Sequence, residues 1–162
     1  MSSPNENLKW FANILVKEIT KEYKEGKKVA FFPLLAGIGS CKVEYRDYGH
    51  NSGMVVDAIH KYYDESKDED IINGYEDGIK TMIKMSKNFL SVYDVLAIIA
   101  YECKIEKSGE AKFSFHKDEI IEYYNMMIMM NRGEILKNSP DFEEHYKEYV
   151  EYFKSKYEIV LF

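Results

Sequence analysis

The sequence predicts a mainly α-helical protein: a single domain with an array of about six helices and one or two short β-hairpins, near residues 29–46 and 104–115. The first observation is that apolar residues recur at spacings of three and four through most of the chain, as in helices that bury one face. The second is that side chains able to cap a helix precede several of these stretches. The third is size, because 162 residues, 46% of them hydrophobic, suffice for one core, so we expect one domain over residues 1–162.

Capping residues predict where three of the first four helices begin. The first helix is expected to start at the Ser3-Pro4-Asn5-Glu6 box and to stop near Gly26, because glycine favours the left-handed backbone at a helix end. A shorter helix is expected from about Gly53 to Tyr63. The box Ser66-Lys67-Asp68-Glu69 predicts the start of the next helix, and Ser91-Val92-Tyr93-Asp94 predicts the start of one that is nearly all apolar through Tyr101.

The last two helices are predicted within residues 117–157. One begins near Lys117, where Asp118 and Glu119 suit the positive end of the helix dipole, and ends before Gly133. The Ser139-Pro140 pair opens the other. Its apolar face is continuous at helical spacing and consists of Phe142, Tyr146, Tyr149, Val150, Phe153 and Tyr157.

Two segments depart from the helical period and are predicted as hairpins. Residues 26–53 hold five of the nine glycines, and residues 41–46 alternate between apolar and charged side chains, which is the period of a half-buried strand. Residues 104–115 alternate about Ser108-Gly109, which we interpret as the turn of a second hairpin.

The charge and cysteine content argue against several classes of protein. The chain has 28 Asp and Glu against 22 Lys and Arg, whereas general nucleic-acid binders cluster basic residues, so no nucleic-acid partner is expected. The polar residues after Met1 are unlike a signal peptide, and two distant cysteines, Cys41 and Cys103, fit free thiols in a reducing cytoplasm. The longest apolar runs, Val29–Ile38 and Phe89–Tyr101, are shorter than the roughly 20 residues of a membrane-spanning helix, so no membrane interaction is expected.

One stretch of the chain accounts for its acidity. Residues 57–77 hold eight acidic residues against Lys61 and Lys67, a net charge of −6 that equals the net charge of the whole chain. A helix start explains Asp68 and Glu69 locally, because carboxylates suit the first turn of a helix. The concentration of acids nonetheless favours a surface that attracts a cationic partner. The residues predicted to bind that partner are Asp57, Asp64, Glu65, Asp68, Glu69, Asp70 and Asp77.

These features predict a non-catalytic, acidic interaction protein. Its concrete form is an inhibitor of the bacterial immunity or antitoxin type, which binds a basic partner protein, such as a toxin nuclease, and neutralises it by covering its site. No cofactor is expected, because the segment from Gly37 to Lys42 fits neither a phosphate-binding loop nor a dinucleotide-binding fingerprint.

The alternative is a small cysteine-dependent enzyme or ligand-binding protein that uses residues Gly37–Ser52. Cys41 would act as nucleophile, His50 as its base and Arg46 as a clamp for an anion, since a thiol nucleophile needs an imidazole within hydrogen-bond reach. The simpler interpretation places Cys41 on the core face of a short strand, because free cysteine is among the most buried residue types. We favour that simpler interpretation.

One predicted helix carries a candidate metal site. Asp57, His60 and Asp64 follow one another at i, i+3 and i+7, so they share a face that could bind zinc or iron. Carboxylate-bridged di-metal bundles carry a Glu-x-x-His pair on each of two helices, and this chain has a single near-match with aspartate in place of glutamate. We therefore expect no metal ion.

Two apolar features concern packing and assembly. The run Met126-Met-Ile-Met-Met130 covers every side of its helix, which predicts a place at the centre of the core rather than in a groove for a partner. The run Glu158–Phe162 is a candidate edge strand, and an uncovered strand edge pairs readily with another chain. With the tyrosine-lined last helix beside it, this run predicts a homodimer as a further form of assembly.

Overall fold

The computed structural model describes residues 50–162, together with positions 14, 17, 21 and 24–26. Within 50–162 the helices are α1 (His50–Ser66), α2 (Glu69–Lys84), α3 (Phe89–Ser108), α4 (Lys117–Asn138) and α5 (Phe142–Tyr157). The predicted mainly α class is confirmed, but with five helices in this range rather than the six predicted for the chain. Positions 14, 17, 21 and 24 are also helical, whereas the predicted hairpin at 29–46 lies outside the described residues.

Helix α3 lies at the centre of the array and contacts each of the other four helices. Its sequence explains this position, because the turns from Val92 to Cys103 carry apolar side chains on every side. Val95 and Ile99 are completely buried, and the apolar faces of the surrounding helices continue the same core. The five helices therefore share one core, and a single domain over 1–162 stays a prediction.

The predicted hairpin at residues 104–115 is wrong. Helix α3 continues to Ser108 and ends at Gly109, whose left-handed backbone (φ 79°) lets it cap the helix. The apolar residues that alternate in the sequence belong to two kinds of structure: Ile105 faces the core from the helix, whereas Phe113 and Phe115 are buried by the irregular segment that follows. Glycine in the left-handed region serves both helix ends and hairpin turns, and here it ends a helix.

The helix starts predicted at Ser66 and Ser91 are displaced by two or three residues. The N-cap of α2 is Asp68, whose Oδ1 accepts the Asp70 N–H at 3.1 Å, while Ser66 ends α1. The N-cap of α3 is Asn88, whose Oδ1 accepts the Ser91 N–H at 3.0 Å. Both caps are short polar side chains of the predicted type, so the sequence identifies the boundary but not its register.

Helix α4 begins at Lys117, as predicted, but continues past Gly133 to Asn138. Gly133 is exposed with open space around it, so it weakens the helix by about 1 kcal/mol without disturbing a contact. Ile135 is completely buried two residues later, and its burial holds the last turns of α4 against the core.

The candidate edge strand at residues 158–162 is an extended segment, and no strand occurs among the described residues. Its second and fourth residues, Ile159 and Leu161, are buried, and those after each of them are exposed, so the predicted alternation is present. Hydrogen bonds to Asn125 hold the segment beside α4. The backbone of this segment therefore hydrogen-bonds to a side chain of α4, whereas the backbone of an edge strand hydrogen-bonds to a neighbouring strand.

Candidate functional site

The seven acids predicted to bind a partner divide into one cluster and two separate residues. The cluster lies where α1 ends and α2 begins, and we call it the acidic corner. It consists of Asp64, Glu65, Asp68, Glu69 and Asp70. Asp64, Glu65 and Glu69 are exposed, whereas Asp68 and Asp70 are half-buried.

Asp68 organises the acidic corner. One of its carboxylate oxygens caps α2, and the other accepts a hydrogen bond from Lys24 Nζ at 2.7 Å. The hydrogen bond from Lys24 holds the pKa of Asp68 below its usual value. Asp70 lies 3.8 Å from the same ammonium group. Asp68 therefore has a structural role at the start of α2, which leaves the exposed acids as the part of the corner that a partner would meet.

The exposed acids of the corner have weak local partners or none. Asp64 lies 3.3 Å from Lys67 Nζ, and Glu69 accepts a hydrogen bond of 2.9 Å from the Tyr63 hydroxyl. Among the described residues, Glu65 has no hydrogen-bond or ion-pair partner for its side chain. Exposed pairs such as Asp64–Lys67 contribute about 0–1 kcal/mol, so a partner's cation can replace Lys67 at little cost.

Asp57 and Asp77 lie away from the acidic corner. Each is seven residues from the nearest corner acid along its helix, a rise of about 10 Å. Asp57 accepts hydrogen bonds from the Tyr101 hydroxyl at 2.7 and 2.8 Å, so it joins α1 to α3. Asp77 is exposed on α2. The structure thus brings five of the seven predicted residues together and leaves these two apart.

A buried polar network connects α1, α2 and α3 below the surface. His60 Nε2 lies 3.0 Å from both carboxylate oxygens of Glu102, and the Tyr75 hydroxyl donates to Glu102 Oε1 at 2.7 Å. His60 and Glu102 are only 4% and 2% exposed. His60 therefore points away from the face that Asp57 and Asp64 present to solvent. The described residues contain no group of three or more His, Cys, Asp and Glu side chains that could hold a metal ion.

The network resembles a His–carboxylate dyad, but its hydrogen bonds are all internal. His60 Nδ1 accepts the backbone N–H of Lys112 at 3.2 Å, which places the ring proton on Nε2, facing Glu102. The Phe113 ring stacks on the imidazole with a centroid distance of 4.0 Å. A general base needs one nitrogen free to face a substrate, and both nitrogens of His60 are engaged. The network accordingly positions the 110–116 segment against the helices.

Of the three residues in the alternative enzyme hypothesis, only His50 lies within the described residues. Cys41 and Arg46 lie outside the described residues, and of His50 the structure gives only its place at the start of α1. Cys103 is a free, buried thiol on α3, and burial raises its pKa to about 12. A thiol with that pKa stays protonated near neutral pH and is therefore a poor nucleophile.

The sequence predicts a place in the core for the methionine run, and this prediction is wrong. Met126, Met129 and Met130 are 44%, 60% and 69% exposed, whereas Ile128 between them is buried. Among the helices of residues 50–162, α4 lies at the edge, where α2, α3 and α5 cover one side of it. The run does cover every side of its helix, as the sequence indicates, but neighbouring helices cover only the side of Ile128.

Two of the exposed methionines, Met126 and Met129, line a groove of about 850 Å³ between α4 and residues 158–162, with the end of α2 beside it. We call it the methionine groove. Its apolar lining consists of Ile121, Met126, Met129, Ile159, Val160 and Phe162. Val160 and Phe162 are 62% and 56% exposed, so both walls of the groove present apolar surface to solvent. A contiguous exposed apolar surface is typical of binding sites in globular proteins.

Asn125 fixes the wall formed by residues 158–162. Its side-chain nitrogen donates to the carbonyl of Val160 at 2.8 Å, and its side-chain oxygen accepts the N–H of Phe162 at 3.0 Å. The amide thus binds the extended backbone as a neighbouring strand would. Because Ile159 and Leu161 anchor the same segment in the core, the groove exists before any partner binds.

The sequence contained a signal for this groove, but the helical spacing of the apolar residues alone does not distinguish a central helix from a partly exposed one. Five successive apolar residues on a helix exceed what one buried face requires, so either the helix is central or part of the run is exposed. The acids Glu122 and Asp118 lie one and two turns before Met126 on the same face of α4, and they indicate that this face meets solvent.

Comparison with models of protein families, with curated proteins and with solved structures finds no match to this chain. Within the described residues, no helix combines the length and the apolar character needed to cross a membrane.

Proposed function

We propose that this protein is a non-catalytic interaction protein that binds and neutralises a basic partner protein, such as a toxin nuclease in the cytoplasm. The observation that supports this function most directly is the acidic corner. Over residues 64–70 five acids face one lysine, a net charge of −4. Three of those acids are exposed at the end of α1 and the start of α2, and the cap at Asp68 holds the start of α2.

The mechanism requires no chemistry from the protein. An exposed acidic surface steers a cationic partner toward it and speeds association, and the bound complex covers the partner's site. The corner is suited to this role because α1 and α2 hold it in one conformation, so little conformational entropy is lost on binding. This arrangement supports an inhibitor of the immunity or antitoxin type.

The test reverses the charge of the corner without disturbing its cap. In Asp64→Lys/Glu65→Lys/Glu69→Lys, Asp68 is retained because it holds the start of α2. A matched control, Glu144→Lys/Glu148→Lys/Glu151→Lys, reverses three exposed acids on α5. The wild-type chain is used to capture a partner from its native host, and the dissociation constant of the purified pair is measured by calorimetry at 50 and 300 mM salt.

We expect a basic partner whose binding weakens at the higher salt concentration and falls at least 30-fold with the corner variant. The α5 control should change the affinity by less than threefold. A partner that is neutral or acidic, or equal losses with the two variants, would show that the corner does not direct binding.

A further inference from the structure

We propose that the methionine groove binds a basic amphipathic helix of a partner protein, with the apolar face of that helix against the methionines and its lysines or arginines against the acidic rim. This surface is separate from the acidic corner: Lys80, at the groove, is eleven residues from Glu69 along α2, a rise of about 16 Å. The two proposals can therefore fail independently.

The apolar lining suits a helix better than a rigid small ligand. Met126 and Met129 are unbranched and exposed, so they adapt to side chains of different shapes, which is how methionine-rich surfaces bind amphipathic helices. Phe162 provides an exposed aromatic ring on the opposite wall. Aromatic and methionine side chains are enriched where proteins bind one another.

The length of the groove fits a helix with several anchors. Its lining on α4 extends from Asp118 to Met129, a rise of about 16 Å. Apolar anchors at positions i, i+4 and i+7 of a bound helix span about 10 Å. Three apolar anchors therefore fit within the length of the groove. One further turn of the bound helix, carrying charged side chains, also fits at one end of the groove.

The rim determines the charge of the occupant. Four acids and one lysine border the groove: Asp118, Glu119, Glu122, Glu158 and Lys80. Lys80 pairs with Glu119 at 2.9 Å, and among the described residues the other three acids have no ion pair. A net rim charge of −3 favours a cationic helix and disfavours an acidic one.

The same rim argues against a second copy of this chain as occupant. In a two-fold dimer the same patch meets itself, so the acids of one rim would face the acids of the other. Like charges brought together across an interface are unfavourable. The chain as a whole also carries a net charge of −6, which adds to the repulsion between copies.

The test uses a defined probe and does not depend on the identity of the partner. The probe is a fluorescent 18-residue peptide of leucine and lysine at helical spacing, and its control is a peptide of the same composition whose order destroys the apolar face. Binding to the full chain is measured by fluorescence anisotropy. The variant is Met129→Lys, and its matched control is Met130→Lys, an equally charged change on the same helix at an exposed position outside the lining.

We expect micromolar binding of the amphipathic peptide, at least tenfold weaker binding of the scrambled one, and at least tenfold loss with Met129→Lys against less than threefold with Met130→Lys. The triple reversal at the acidic corner should leave peptide affinity within threefold of wild type. Equal binding of the two peptides, or equal loss with the two lysine variants, overturns the proposal. A dimer seen by light scattering that Met129→Lys dissociates also overturns it, because the occupant would then be a second copy.

Discussion

His60 of α1 and Glu102 of α3 are 42 residues apart in the chain, and the imidazole and the carboxylate lie 3.0 Å from each other in the core. Glu102 also accepts the Tyr75 hydroxyl, so one buried carboxylate joins three helices. Burying a polar group costs free energy unless the group is hydrogen-bonded, and this carboxylate accepts hydrogen bonds from both side chains. We therefore expect Glu102 to be the polar residue on which the stability of this core depends most.

Glu102→Ala should lower the free energy of unfolding by about 2–4 kcal/mol, because it removes the acceptor of the buried His60 N–H and leaves a cavity. Chemical denaturation followed by circular dichroism measures the loss. Glu106→Ala, one turn later on α3, removes an exposed carboxylate 3.5 Å from Lys117 and should cost less than 1 kcal/mol. Similar losses for the two variants would contradict a stabilising role for the network.

His116 should make stability depend on pH near neutrality. Its Nδ1 lies 2.9 Å from both oxygens of Glu76, and that hydrogen bond together with the carboxylate charge raises the pKa of His116. A raised folded-state pKa contributes stability that is fully present below the unfolded value of about 6.5 and is lost as pH rises through the folded-state pKa.

Glu76→Gln should return the pKa of His116 toward its ordinary value and flatten this part of the stability profile. NMR titration of the imidazole, combined with urea unfolding between pH 5 and 9, measures both effects. His116→Asn provides the control, because it should flatten the same part of the profile by removing the titrating group. A wild-type His116 that titrates at its unfolded value would be inconsistent with the ion pair.

Asp94→Asn should stabilise the protein at neutral pH. Burial raises the pKa of Asp94 to about 6, so its charged form is disfavoured in the folded state. A raised pKa means that the folded chain is most favoured below the unfolded value of about 3.9 and loses stability as pH rises through 6. Asparagine avoids this loss, and a gain of about 1–2 kcal/mol is expected at pH 7.

The gain from Asp94→Asn should disappear below pH 4, where both side chains are neutral. Thermal unfolding at pH 3.5, 5 and 7 follows the difference between variant and wild type. Asp77→Asn, at an exposed position on α2, is the control and should have little effect at any pH. A gain of equal size at pH 3.5 and pH 7 would show that ionisation of Asp94 is not its cause.

Cys103 should resist alkylation in the folded protein, because it is buried and its pKa is about 12. Any thiol that reacts quickly with iodoacetamide at pH 7.5 would then be Cys41, the nucleophile of the alternative enzyme hypothesis. Peptide mapping by mass spectrometry assigns the label, and full labelling in urea is the control. Slow labelling of Cys41 would remove that hypothesis, whereas fast labelling of Cys103 would contradict its burial.

The sequence predicts burial best where the apolar residues lie on one face of a helix. The apolar residues that recur at helical spacing in α2, including Ile72, Ile79 and Met82, are buried, and so are Phe142 and Phe153 of α5. Residues at i, i+3 and i+4 share a face whatever surrounds the helix, so their burial follows from local spacing. The capping side chains likewise identified the starts of α2 and α3 to within three residues.

The sequence predicts burial and helix ends poorly where they depend on which element of the fold packs beside the residue. Residues 126–130 present apolar side chains on every side of α4. Only the placement of α2, α3 and α5 determines that Ile128 is covered while Met129 is not. The Ser108-Gly109 pair fits a helix end or a hairpin turn equally well, and burial of Ile105 by the helix decides between them. The contact between His60 and Glu102 has no local signature at all.

The central position of α3 has a consequence for how the molecule opens. Since α3 contacts each of the other four helices within residues 50–162, none of these can detach without admitting water to its apolar surface. Within residues 50–162, local opening should therefore be confined to positions such as the exposed turns of α4, and the amide hydrogens from Val95 to Ile99 should exchange only through global unfolding. Hydrogen exchange of this one helix would thus report the stability of the whole five-helix unit.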